Sequence, residues 1–177
     1  DSLDEDCRDN LETLLQRTRR LSTLQTDLLD YAQAGAIDGS LADTDVRALV
    51  AGIRALIDPD ARFEIVVRGV NRPVRTHVVP LQQILMNLFG NAIKHHDRDR
   101  GNIVLTLVEE GSRLHVEVRD DGPGIEPRFH EKVFGLFTTL QSKDVVEGSG
   151  LGLSMVRKLV ERYEGRIDIV SDPEHGR

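Results

Sequence analysis

The chain has 177 residues, 39% of them hydrophobic and 30% charged, which suits one compact domain with an attachment. A formal net charge of −7 argues against a general nucleic-acid surface, so any anionic ligand must be held by local groups. The single cysteine, Cys7, excludes a disulfide framework and a cysteine-based zinc site, and points to a reducing compartment.

No apolar run is long enough to span a bilayer and no signal peptide is present, so no membrane contact and a cytoplasmic setting are expected. The chain begins without Met and stops after a strand-like run. It reads as a fragment of something longer, whose parent could still be anchored in a membrane.

Residues 9–34 read as one amphipathic helix. Leu14, Leu21 and Leu28 recur every seven residues, with Leu11, Leu24 and Tyr31 beside them, a seam suited to another helix or to the helix's own domain. "GAIDGSLAD" at 35–43 is a break, after which Thr44 is expected to cap a second helix carrying Val46, Leu49, Val50, Ile53 and Leu56. Strands are expected over 62–70 and 74–79, and Pro80 is expected to open a long helix over "PLQQILMNLFGNAIKHH". Two alternating runs, 102–110 and 113–120, are joined by Gly111-Ser112 as a hairpin. A short helix around "PRFHEKVFGLF", a polar loop over 138–149, a helix over about 150–163 and a strand "GRIDIVSD" complete the pass. Helices with mostly antiparallel strands predict a two-layer α/β sandwich after residue 44, preceded by a long helix.

Three places carry chemistry. On the helix from 80 to 96, Leu81, Ile84, Leu85, Leu88, Ala92 and Ile93 form an apolar stripe, while Asn87, Asn91, Lys94 and His95 share another face. Asparagine is a poor helix former, so two of them one turn apart call for a reason. Their amide oxygens suit Mg²⁺ and Lys94 suits a phosphate, the alternative being a plain solvated face. The run "EGSGLGLSMVRKLV" places Gly148, Gly150 and Gly152 before a helix, where free N–H groups and the helix dipole favour phosphates. It lacks the Lys-Ser/Thr of a P-loop, and Leu153 stands where a dinucleotide fingerprint needs its third glycine, so a flexible hinge competes. In "DDGPGI", the carboxylates of Asp120 and Asp121 would repel a phosphate, but a carboxylate accepts from the exocyclic amine of adenine. Asp120 is therefore expected to point into a pocket, with Gly122 and Gly124 admitting a flat base and Asp121 facing water. Alone, the motif also fits an ordinary acidic turn.

Taken together, these motifs resemble the histidine-kinase ATP-binding domain, the Bergerat-type fold shared with gyrase and MutL. "NLFGNAIKHH" resembles its N box, "DDGPGI" its G1 box, "VFGLFTT" its F box and "GSGLGLSMVRKLVERYEGRI" its G2 box, in order across residues 45–177. The resemblance implies ATP and Mg²⁺ as ligands, with Asn91 the principal metal ligand helped by Asn87. It implies that Lys94 binds phosphate, that His95 lies against the adenine where the family often has Tyr, and that Asp120 bonds the adenine amine. It places Gly122, Gly124 and Ile125 at the base, and Phe137 and Thr138 at the F box before a lid over 138–147. Gly148, Ser149, Gly150, Leu151, Gly152 and Leu153 then wrap the phosphates. Residues 1–36 resemble only the second helix of the dimerisation hairpin, in "RTRRLSTLQTDLLDYA", joined by a linker over 37–44. The first helix, with the phosphoacceptor histidine, is missing, as is the family's closing strand.

The resemblance implies a sensor histidine kinase, dimeric through that helix, which passes the γ-phosphoryl of ATP to a histidine and then to a response-regulator receiver domain. A same-fold serine kinase and a non-catalytic ATP-sensing dimerisation module are the alternatives. His130-Glu131 has the acceptor dipeptide but sits in the F box, so His130 is expected to be a surface side chain. His96 is expected to be solvated, and His77, His115 and His175 show no metal-ligand spacing.

Overall fold

A computed structural model describes residues 2–34, 39–139 and 149–171. Helix α1 (Ser2–Ala34) is followed by β1 (Leu41–Thr44), α2 (Val46–Ile57), β2 (Phe63–Arg68), β3 (Val74–His77), α3 (Val78–Lys94), β4 (Gly101–Glu110), β5 (Arg113–Asp120) and α4 (Gly152–Arg162). β2, β4 and β5 form one sheet with β4 central, parallel to β2 and antiparallel to β5. β1 and β3 pair antiparallel as a separate ribbon.

The core lies between the three-stranded sheet and helices α2 and α3. Alternation on β4 buries Ile103, Leu105 and Leu107, and β2 adds Phe63 and Val67. Val46, Val50 and Ile53 of α2, with Leu81, Leu85, Phe89 and Ala92 of α3, cover them. Phe89, absent from the expected stripe, is fully buried, whereas Ile84 turns away from this core. Ile84 packs instead with Met155 and Leu159 of α4 and with Tyr31 of α1. Lys158 Nζ lies 4.2 Å from the Tyr31 ring centroid and donates to the Tyr31 carbonyl at 2.7 Å. The C-terminal end of α1 is thus fastened to α4, while Leu11, Leu14, Leu21 and Leu28 lie exposed along its length.

Several local expectations are corrected. Residues 41–44, expected as break and linker, form β1, because Leu41–Thr44 pairs with Val74–His77. Thr44 therefore ends a strand, and the cap of α2 is Asp45, whose carboxylate accepts from the N–H groups of Arg47 and Ala48. α3 starts at Val78, ahead of Pro80, and β3 stops at His77. The F-box segment forms two short 3-10 turns, Pro127–Phe129 and Lys132–Phe134, in place of one helix. Residues 165–171 pair with no strand among the described residues, so the strand expected over "GRIDIVSD" is absent there.

One buried carboxylate closes the turn between α2 and β2. Asp58 is 2% exposed and accepts from the N–H groups of Arg62 at 3.1 Å and Phe63 at 2.7 Å. Asp58→Ala strands both donors, one of them buried, and should lower unfolding stability by about 3 kcal/mol. Chemical denaturation checks this, and a loss within error of zero would show that the turn holds without its carboxylate.

Candidate functional site

Two elements lie against α3: the start of α4 and, just past the C-terminal end of α3, the turn after β5. α3 presents Asn87 and Asn91 toward the start of α4. A Cβ built on Gly152 would lie 2.8 Å from Asn87 Oδ1 and 3.7 Å from both polar atoms of the Asn91 amide. The first of these is closer than a Cβ normally sits, so a side chain here would require the Asn87 amide to turn aside. Asn87 Nδ2 donates to the Gln83 carbonyl at 2.9 Å, an orientation in which Oδ1 faces the gap. The Asn91 amide has no hydrogen-bond partner among the described residues, although the residue is half-buried.

Leu151 occupies the cap position of α4, and no side chain among the described residues accepts from the first helical turn. Ser149 Oγ accepts from the Leu151 N–H at 3.2 Å, and Leu151 itself is buried, which sets the loop's direction. Gly150 has φ +73°, and Phe137, before the polar loop, has φ +58°, both in the left-handed region. A Cβ on Gly150 would lie 2.7–2.9 Å from backbone atoms of Phe137 and Thr138. The F box and the G2 box therefore touch at this point. Arg157 of α4 strengthens the contact, its guanidinium lying 4.2 Å from the Phe134 ring centroid. Gly148 and the lid residues 140–147 lie outside the described residues.

The third element is the turn after β5. Leu114, Val116 and Val118 face the core, so the two-residue period puts Asp120 on the same helix-facing side. Asp120 Oδ1 accepts from the Gly122 N–H at 3.0 Å, and the other carboxylate oxygen has no partner among the described residues. Gly124 has φ +72°, and the Ile125 N–H donates to Ser171 Oγ at 2.8 Å. Lys94 and His95 end α3 on an exposed turn, and the His95 pKa is lowered by partial burial and then by the Lys94 charge.

Three side chains contradict expectation. Asp121 does not simply face water: its carboxylate accepts from the Asn102 N–H at 2.7 Å, from Asn102 Nδ2 at 2.9 Å and from His96 Nε2 at 3.1 Å. His96 is not solvated, since its side chain is fully enclosed. An acid at the end of a strand has donors within reach from the neighbouring strand, and β4 supplies them. His130 is likewise partly buried, its ring Nε2 lying 2.9 Å from the Ile125 carbonyl oxygen. No cluster of His, Cys, Asp and Glu able to hold a metal occurs among the described residues.

Burial raises the Asp121 pKa, but the hydrogen bonds from Asn102 and His96 and the Arg98 charge outweigh it and hold it well below the usual carboxylate range. A depressed folded-state pKa stabilises the fold above about pH 4 and loses that contribution as pH falls through the folded value. The stability gap between wild type and Asp121→Asn should therefore shrink between pH 5 and the acid limit of folding, by about half or more. Thermal melts across that range check this, and a constant gap would remove the charge from the account.

A family model described as histidine kinase-, DNA gyrase B-, and HSP90-like ATPase matches residues 76–177. The chain belongs to this ATPase family. Phytochrome-like protein Cph1 of Synechocystis sp. is 30% identical over 180 residues, covering 99% of this chain and 24% of that protein. Adaptive-response sensory kinase SasA of Parasynechococcus marenigrum is 40% identical over 172 residues, covering 90% of this chain and 44% of its own. Among solved structures, full-length ShkA in complex with AMPPNP is similar at TM-score 0.70 and 30% identity, over 91% of this chain and 35% of that one. The chain spans about a quarter of the length of the phytochrome relatives it matches. No helix among its described residues is long and apolar enough to cross a membrane.

Proposed function

We propose that this chain is the ATP-binding catalytic part of a two-component sensor histidine kinase. The observation that carries the reading is the close approach of the α4 start to the two asparagine amides of α3, where a Cβ on Gly152 would lie 2.8 Å from Asn87 Oδ1 and 3.7 Å from the Asn91 amide. Amide oxygens beside a helix N-terminus suit a metal-bound polyphosphate: neutral hard oxygens for the cation, N–H groups and dipole for the anion. The residues present fit Mg²⁺, with Asn91 and Asn87 as its ligands. Bound there, the ion would neutralise phosphate charge during transfer.

In this reading the backbone from Ser149 to Leu153 cradles the phosphates, Lys94 adds a point charge, and Gly148 extends the cradle. The free oxygen of Asp120 accepts the adenine amine, Gly122, Gly124 and Ile125 shape the base slot, and His95 lies beside it. Phe137 and Thr138 hold the near end of the lid. The domain places ATP and neutralises its charge, which is most of what phosphoryl transfer asks of a protein. Residues 1–36 act as the second helix of the dimerisation hairpin, and the exposed row of Leu14, Leu21 and Leu28 supports a helical partner and a homodimer. The parent transfers phosphoryl to a histidine carried outside these residues and on to a receiver aspartate. ShkA, similar over most of this chain, was solved with AMPPNP, which supports ATP as the nucleotide.

The test uses radiolabelled ATP with this chain, alone and with a supplied dimerisation domain. Alone it should bind Mg-ATP yet acquire no acid-labile phosphate; with the acceptor, acid-labile label should appear on the acceptor histidine. Acid-stable label on a partner would favour the serine-kinase alternative, and binding with no transfer to any acceptor would favour the sensing module.

A further inference from the structure

We propose that His96 is a positioning residue that fixes the base-reading carboxylate, an inference resting on the reading of Asp120 as the adenine acceptor. His96 lies just past the end of α3, two residues beyond Lys94. Its ring Nδ1 lies 3.0 Å from the Arg98 backbone N and 3.3 Å from Asp97 Oδ1. Nε2 faces the Asp121 carboxylate, which only accepts, so Nε2–H donates to Asp121 Oδ1 at 3.1 Å. The ring has no room to choose otherwise. It meets the Phe63 ring edge-on, centroids 5.2 Å apart at 75°. A Cβ on Gly101 would lie 2.6 Å from Nε2, and one on Gly122 would lie 3.3 Å from Cδ2.

The consequence runs along the turn. Asp121, tied by His96, Asn102 and the Arg98 guanidinium at 3.4 Å, cannot rotate. Gly122 is then pressed against the imidazole, and its N–H holds Asp120 Oδ1 at 3.0 Å. One enclosed ring thus sets the base turn relative to α3, the helix that carries Asn87 and Asn91. Nothing in this chain of contacts requires His96 to touch a nucleotide, so its effect should appear in base selectivity and not in phosphate or metal binding.

The experiment compares metal-free ADP and GDP binding to the 177-residue chain by calorimetry, for wild type, His96→Ala, His96→Gln and Asp120→Asn. The glutamine amide nitrogen overlays the imidazole Nε2 and keeps the donor to Asp121. His96→Ala should lower the ADP-over-GDP preference about tenfold, with GDP affinity changed by less than about twofold, and His96→Gln should restore most of the preference. Equal losses for both nucleotides, or no rescue by glutamine, would reduce His96 to a stability role and overturn the proposal. If Asp120→Asn leaves the preference unchanged, the reading of Asp120 falls; if it abolishes the preference while His96→Ala does not, only the brace falls. Should His96→Ala not fold, nitrogen NMR of the wild-type imidazole decides: ADP should shift the His96 Nε2 resonance more than GDP does, and equal shifts would overturn the proposal.

Discussion

Replacing Gly150 with alanine should weaken nucleotide binding about a hundredfold and leave the core folded. Gly150 sits at φ +73°, where any side chain is strained. Its Cβ would also strike Phe137 C at 2.7 Å and Thr138 N and O at 2.8 and 2.9 Å. These are backbone atoms, which cannot swing aside as a side chain does. The loop must back away from the F box, and the start of α4 moves with it. Neither hydrophobic cluster contains Gly150, so unfolding stability should fall by only about 1–2 kcal/mol. Gly152→Ala makes an internal contrast. Its Cβ would meet Asn87 Oδ1 at 2.8 Å, the far end of a side chain that can turn, and α-helical geometry suits alanine. The Gly152 variant should therefore lose less affinity than the Gly150 variant. Titration calorimetry with Mg-ATP measures both, and the reverse order would mean that the F-box contact does not set the phosphate loop.

Much of this arrangement was legible before any coordinates, and the reason is periodicity. The apolar residues of α3 recur at helical spacing, so the opposite placement of Asn87 and Asn91 follows from the same count. The alternation of Leu114, Val116 and Val118 fixes the side of the sheet on which Asp120 falls. Asp121 lies one residue past the strand, where that count no longer applies. Its donors, Asn102 N–H, Asn102 Nδ2 and His96, come from segments that sequence proximity does not connect. β1 was hidden for a related reason: Leu41–Thr44 has too few residues for a pattern, and its pairing partner lies across α2 and β2. The seam of α1 was readable as a seam, but not that Tyr31 packs within this chain, against Ile84, Met155 and Leu159, while Leu14, Leu21 and Leu28 stay exposed. Spacing describes a face; it does not name what covers it. His96 could have been suspected from one clue, a histidine placed between a helix end and "DRDRGN", where backbone donors crowd the ring.

Asn91→Ala should separate function from stability. Alanine is the better helix former by about half a kcal/mol, and the Asn91 amide has no partner among the described residues to lose. The variant should therefore melt no lower than wild type, whatever happens to its ligand. Binding should respond very differently. If the Asn91 oxygen holds the cation, its loss should weaken Mg-ATP binding about tenfold to a hundredfold, while nucleotide in a chelator should lose no more than about threefold. Asn87 retains an oxygen near the gap, so part of the metal dependence should survive; Asn87→Ala combined with Asn91→Ala should remove it. A residue kept at a cost in helix propensity, whose removal spares the fold and strips only the metal-dependent affinity, is what a ligand looks like in such a series. Equal losses with and without Mg²⁺ would instead assign Asn91 to direct nucleotide contact, and the metal would need other ligands.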